Sequence, residues 1–166
     1  MQQVSVFDYA NAIVQAIPKG VLLTTKDTKV DSMVIGWGTL GVEWGKPMFV
    51  AYIRESRYTH AQLEATGEFT VNIPLGEADP KILKVCGTLS GRDVDKVKEA
   101  GLVLVEGQKV GVPGIRQFPL TLECKVVCKN VQAFESIDPK FRKNYPDGGD
   151  LHTAYYGEIV NAYIAD

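Results

Sequence analysis

Short β-branched, apolar runs that follow one another with only tight turns between them narrow the possible folds of this chain more than any other feature. Val21 to Thr25 reads as a strand, Lys26 to Lys29 as a turn, Val30 to Trp37 as a second strand, and Met48 to Ile53, after Pro47, as a third. Strands joined so closely pair antiparallel, because a parallel partner needs a crossover of about a dozen residues or more.

Helical patterns are fewer and interrupt this series without alternating with it. Asp8 is placed to cap a short helix through Ala16, which Pro18 and Gly20 end. Tyr58 to Thr66 is helical and stops at Gly67, and Glu68 to Ile73 returns to strand. Asp79-Pro80 opens a helix ending near Cys86-Gly87, and Asp93 starts another, Val94 to Ala100, stopped by Gly101. Strands resume at Leu102 to Val105, Leu120 to Phe134 and His152 to Ile164, with Asp138 to Asp150 a Pro- and Gly-rich loop holding one helical turn. The expected fold is therefore mainly β with peripheral helices, a closed antiparallel β-barrel in one domain over residues 1–166.

Charge excludes several function classes. Eighteen Lys and Arg against twenty Asp and Glu give a net charge of −2, so the basic footprint of a nucleic-acid or anionic-membrane binder is missing. No run of about twenty apolar residues is present, and Met1 to Ser5 lacks the features of a signal peptide, so a cytoplasmic protein is expected. The three cysteines suit reduced thiols better than a disulfide framework. Cys124 and Cys128 lie in a strand-like run, where residues four apart are about 13 Å distant. That spacing cannot close a zinc site, and no metal is expected.

Gly36-Trp37-Gly38-Thr39-Leu40-Gly41 matches the dinucleotide pattern G-x-G-x-x-G. In that motif the glycines open a helix whose N-terminus meets a pyrophosphate. Here the chain continues through Val42 to Pro47 with two breakers and no helical period, into another strand, so the match is rejected.

Four other segments can carry chemistry. Arg54-Glu55-Ser56-Arg57-Tyr58-Thr59 closes a strand and opens a helix, where backbone N–H groups, the helix dipole, hydroxyls and an arginine fork suit a phosphate. The alternative is that Ser56 is an N-cap and the arginines are solvated. Ser32 to Gly38 offers small residues and backbone donors along which a flat ligand can lie, or it is a barrel strand whose Met33, Ile35 and Trp37 fill the core. Ser90 to Lys96 begins a helix and taken alone is a capped surface element. Asp150-Leu151-His152 places a carboxylate two residues before a histidine, on one strand face, where it can orient or protonate the ring. The alternative is a packed structural histidine.

Taken in order, Met33 to Gly38, Trp44 to Pro47, Arg54 to Thr59, Glu68 to Asn72, Cys86 to Arg92, and Asp150 to His152 through Tyr156 to Ile159 resemble the flavin reductase-like family, flavoredoxin branch. The likeness runs from about Gly20 to Tyr163. It implies an FMN-binding split β-barrel that forms a homodimer with flavin sites near the subunit interface. On that pattern Ser32, Met33, Val34, Gly36 and Trp37 lie against the flavin ring, and Arg54, Ser56, Arg57, Tyr58 and Thr59 hold the ribityl phosphate. Ser90, Lys96 and His152 approach from the insertion and the last strand, with His152 as the catalytic candidate. Many relatives carry a threonine at Val34 and an asparagine near Asp31 or Ser32, so backbone donors stand in here.

The resemblance implies an NAD(P)H:flavin reductase or a flavoredoxin-like electron-transfer protein. Its donor is NADH or NADPH, and its acceptor a small-molecule redox substrate or an electron-transfer protein. An FMN carrier reduced by another protein, and a cofactor-free interaction module, are the alternatives.

Overall fold

The computed structural model describes residues 1–166. Its strands are β1 (Gln2–Gln3), β2 (Val21–Lys26), β3 (Val30–Ile35), β4 (Gly38–Glu43), β5 (Lys46–Arg54), β6 (Glu68–Ile73), β7 (Leu104–Val105), β8 (Gly114–Ile115), β9 (Leu120–Val131) and β10 (His152–Ile164). The helices are α1 (Ala10–Ala16), α2 (Tyr58–Thr66), α3 (Pro80–Thr88) and α4 (Lys96–Ala100). None is long and apolar enough to cross a membrane.

One antiparallel sheet runs in the order β3-β2-β6-β9-β10-β5-β4, with β1 also on β10. The expected closure of the barrel does not occur through hydrogen bonds, because β3 and β4 are the two ends of this path and do not pair. They are neighbours in sequence, but Gly36 and Trp37 turn the chain away and send β4 into a hairpin with β5. The hairpin turn places Trp44 at φ 51° and Gly45 at φ 69°, the positive values that a type I′ connection requires. The rejected dinucleotide motif is thus a bend at Gly36 and Trp37 followed by strand, and Gly38 has a packing reason: a Cβ there would lie 2.8 Å from Cζ of Phe49.

The inner face of the sheet encloses a core of 20 residues, among them Val21, Leu23, Phe49, Ile53, Phe69, Leu122 and Tyr155. Leu22 points the other way, into a second cluster with Ile82 and Cys86 of α3, Ala100 of α4, and Leu102, Ile115 and Phe118. Both faces of β2 are therefore covered, which accounts for its continuous rather than alternating apolar run.

Two helix starts differ from expectation. Asp8 lies inside a 3-10 turn, Val6–Tyr9, that precedes α1, and Asp95 rather than Asp93 caps α4, accepting from Lys98 N–H at 3.2 Å. The long strand ends at Val131, and the loop after it holds 3-10 turns at Phe134–Ser136, Pro139–Asn144 and Pro146–Gly148.

Asn72 joins the sheet to the insertion from a fully buried position. Its amide donates to Thr24 and Thr70 Oγ1, each at 3.1 Å, and its oxygen accepts from Ile115 N–H at 2.9 Å and Thr121 Oγ1 at 3.1 Å. Asn72→Ala strands the Ile115 N–H and removes one hydrogen bond from each of Thr24, Thr70 and Thr121, of which Thr24 and Thr70 keep Ser32 and the Pro113 carbonyl. We expect a loss of about 2–4 kcal/mol, read from the urea midpoint. A loss below about 0.5 kcal/mol would show that water replaces the amide.

Candidate functional site

The gap in the ladder is where the chain forms its first hollow. β4 follows β5 only as far as the Gly38–Ala51 pair, so Tyr52 and Arg54 have no partner on that side, and neither does the outer edge of β3. Met33, Val34, Ile35, Gly36 and Trp37 form one wall, and Tyr52, Arg54, Arg57 and His152 the other. β10 brings His152 opposite Arg54, which is how a residue from the end of the chain enters the site.

A second, polar hollow adjoins the first and shares Met33 and Arg57 with it. Ser56, Tyr58, Thr59, Ser90, Gly91, Arg92, Lys96 and Asp31 are among its walls. The volumes, about 190 and 160 Å³, together reach the lower end of the range for small-molecule sites, about 300–1,000 Å³. Arg57, Arg92 and Lys96 face a single carboxylate, Asp31, so the polar hollow is net cationic. Gly91 is required where it stands, since a Cβ would fall 2.6 Å from the Tyr58 ring and closer still to Asp31.

The two hollows therefore collect every residue singled out from the sequence except Ser32 and Asp150. The Ser32 hydroxyl turns inward and shares a hydrogen bond with Thr24 Oγ1 at 3.0 Å. Met33, Val34, Gly36, Trp37, Arg54 and His152 line the first hollow; Ser56, Tyr58, Thr59, Ser90 and Lys96 line the second. Several of these side chains have other partners than expected. Lys96 is buried, donates to the carbonyls of Ser32 at 3.0 Å and Cys86 at 3.4 Å, and lies 3.7 Å from Asp31 Oδ1. Burial pushes this ammonium down and Asp31 opposes the shift, while burial raises the Asp31 carboxyl against the pull of Lys96. Neither Asp31 oxygen has a hydrogen-bond donor. Ser90 makes a turn, accepting from Arg92 N–H at 3.2 Å, and Arg57 rather than Ser56 occupies the N-cap position of α2.

Asp150 does not serve His152. The strand begins at His152, and Asp150 lies before it at φ 49°, outside the two-residue alternation. Its carboxylate instead takes Ser56 N–H at 3.0 Å and Ser56 Oγ–H at 2.8 Å. Burial alone would raise this carboxyl, but the two Ser56 bonds and the charges of Arg54 and Arg57 hold it below its ordinary value. Arg54 donates to the carbonyls of Asp150 and Asn144, both at 3.0 Å, and lies 5.1 Å from the centre of the Tyr145 ring.

Tyr145 is what orients His152, with its hydroxyl 2.8 Å from Nδ1. The Tyr145 O–H donates to Gln132 Oε1 at 2.9 Å, so the histidine supplies the Nδ1 proton and keeps Nε2 as an acceptor. The ring is 5% exposed and 5.2 Å from that of Trp37, which is itself half open to solvent. Tyr52, Arg92 and Tyr145 were not singled out from sequence. Tyr52 shares strand parity with Arg54, and Arg92 stands two residues after Ser90, ahead of α4, but nothing local marks Tyr145.

Burial, with Arg54 and Arg57 nearby, brings the His152 ring from 6.5 down to about 4 despite Asp150. The ring is neutral at pH 7. As pH falls the unfolded chain binds this proton first, so stability is complete above about pH 6.5 and is lost progressively toward pH 4. His152→Gln should flatten this acid limb in urea midpoints measured across that window. An identical slope in parent and variant would assign the limb to other groups.

The comparisons with known proteins agree with this architecture. Residues 14–166 match the model of the flavin reductase like domain. An uncharacterized protein of Archaeoglobus fulgidus is 32% identical over 145 residues, covering 87% of this chain and 71% of the relative. The structure of the flavoredoxin of Desulfovibrio vulgaris superposes with a TM-score of 0.69 at 24% identity, over 89% of this chain and 69% of that one. An FMN-binding protein from Thermus thermophilus superposes with a TM-score of 0.65 at 23% identity, over 87% of this chain and 69% of that one. These two likenesses establish a shared fold; the sequence match over nearly the whole length carries the assignment, and the chain belongs to the flavin reductase-like domain family.

Proposed function

We propose that the chain, as one domain over residues 1–166, binds FMN and passes electrons through it. It acts as an NAD(P)H:flavin reductase or a flavoredoxin-like electron-transfer protein. The observation that carries this reading is the meeting of two chemically unlike hollows at Met33 and Arg57. Met33, Val34, Ile35, Trp37 and Tyr52 give the first an apolar and aromatic side faced by Arg54, Arg57 and His152, and the second is polar and cationic; a planar ring joined through a polyol to a phosphate would suit the pair. Met33, Val34, Gly36 and Trp37 would flank the ring. Arg57, Ser56, Tyr58, Thr59 and Ser90 would surround the phosphate, with Arg92 as a further cation and Lys96 fixing the floor.

Bound FMN would supply the redox chemistry, taking electrons from NADH or NADPH and releasing them to a small-molecule acceptor or a partner protein. His152 would hold an uncharged ring beside it, with Nε2 free to accept a hydrogen bond, and the half-open Trp37 would border the face on which a nicotinamide stacks. We infer a cytoplasmic homodimer in which a second subunit covers this edge, twofold closure being the commonest symmetry. The likeness to a flavoredoxin favours a second reading, an FMN carrier reduced by another protein. Bleaching of the visible flavin band by NADH or NADPH under anaerobic conditions separates the two.

Titration with FMN should reach one equivalent per chain, with FMN preferred to FAD because the cationic hollow suits a monophosphate terminus. No binding in such a titration would remove the central claim. Arg57→Ala should weaken FMN by roughly 1.5–3 kcal/mol, the worth of a charge-assisted hydrogen bond, and leave riboflavin affinity almost unchanged. Equal losses for both ligands would mean that Arg57 supports the fold instead.

A further inference from the structure

Asp150 has a place in the site that neither the fold nor the proposed electron transfer requires. Its two carboxylate oxygens take the N–H and the Oγ–H of Ser56, the residue that lines the cationic hollow at the entrance to α2. A carboxylate bound through both oxygens to two donors is the arrangement a phosphate would make with the same residue. We propose that Asp150 is a resident anion which a phosphate-bearing ligand must displace from Ser56. On this proposal, which rests on the FMN reading, Asp150 sets how strongly the site prefers phosphorylated over unphosphorylated flavin.

Three features make the carboxylate exchangeable while the loop stays in place. Arg54 grips the backbone of the loop through the carbonyls of Asp150 and Asn144; it attracts the carboxylate by charge but makes no hydrogen bond to it. Tyr145, against which Arg54 stacks, is buried and tied to Gln132 and His152, so the anchor is independent of Ser56. The Asp150 side chain is exposed, so it swings into water with little loss of packing. Residue 150 also sits in the left-handed region, which aspartate tolerates better than most residues at a cost that a glycine or asparagine would lessen. A dianionic phosphate brought to Ser56 would meet this charge at close range, and Arg57 and Arg92 would be left to attract the ligand.

The test compares the parent chain with Asp150→Asn, which keeps an acceptor and loses the charge, and Asp150→Gly, which loses both and accepts the backbone angle. FMN and riboflavin are titrated by flavin fluorescence, and thermal midpoints are read with and without inorganic phosphate. Both variants should bind FMN about fivefold more tightly, the effect of removing one like charge near a solvated anion, with riboflavin unchanged. Phosphate should raise the midpoint of each variant more than that of the parent. Weaker or unchanged FMN binding, or equal changes for FMN and riboflavin, would overturn the displacement and make Asp150 a support for the loop. If neither flavin binds parent or variants, the FMN reading fails, and the phosphate arm still decides: a greater midpoint shift in the variants upholds displacement, and equal shifts reject it.

Discussion

An antiparallel sheet that curls around a core must either pair its last strands or give those free edges another use. In this chain one edge of β3, and one edge of β5 beyond Ala51, remain unpaired, because β4 departs at Gly38 and its ladder with β5 stops there. An exposed edge is ordinarily a hazard for aggregation. Here the two edges are the walls of a hollow, with Met33 and Ile35 along one and Tyr52 and Arg54 along the other. Closing the ladder would fill the space between Met33 and Tyr52 with backbone hydrogen bonds and remove the site.

The floor beneath that gap depends on a second constraint, the covering of β2 on both faces. Its outer face meets α3 and α4, which brings Lys96 under β3, where it binds the carbonyls of Ser32 and Cys86 and faces Asp31. A buried pair of this kind adds little net stability against hydrophobic replacements, but removal of one partner leaves an uncompensated charge in the interior. Its value lies in position. Lys96 fixes the insertion against β3, and the insertion carries Ser90, Gly91 and Arg92 into the polar hollow. The packing of the second core and the cationic character of the site are in this way one arrangement.

Much of this was legible in the residues because it depends on short-range pattern. The tight succession of β-branched runs led to an antiparallel, mainly β fold, and the two breakers after Gly41 ruled out a nucleotide-binding helix where the structure has the β4–β5 hairpin. The stretches Met33 to Trp37 and Arg54 to Thr59 were read as separate candidates, and the structure sets them on opposite sides of one gap. Errors arose where a polar side chain had more than one possible partner. Asp93 and Asp95 are equally good caps by type, and only the local backbone selects Asp95. Ser32 alternates into the interior because β3 pairs with β2 in a register that puts it opposite Thr24.

Most of the strands, the helices and the cationic segments follow from periodicity and conformational preference within a few residues, whereas β1, β4 and β8 carry no such signal. Long-range packing sets the rest: the sheet left open between β3 and β4, Tyr145 and not Asp150 orienting His152, and Lys96 supporting the site from beneath. The pairing of Ser56 with Asp150 spans 94 positions, and that of Lys96 with Ser32 spans 64. Over such distances a side chain's partner is set by strand register and by which faces are buried, and no local pattern of residues encodes either.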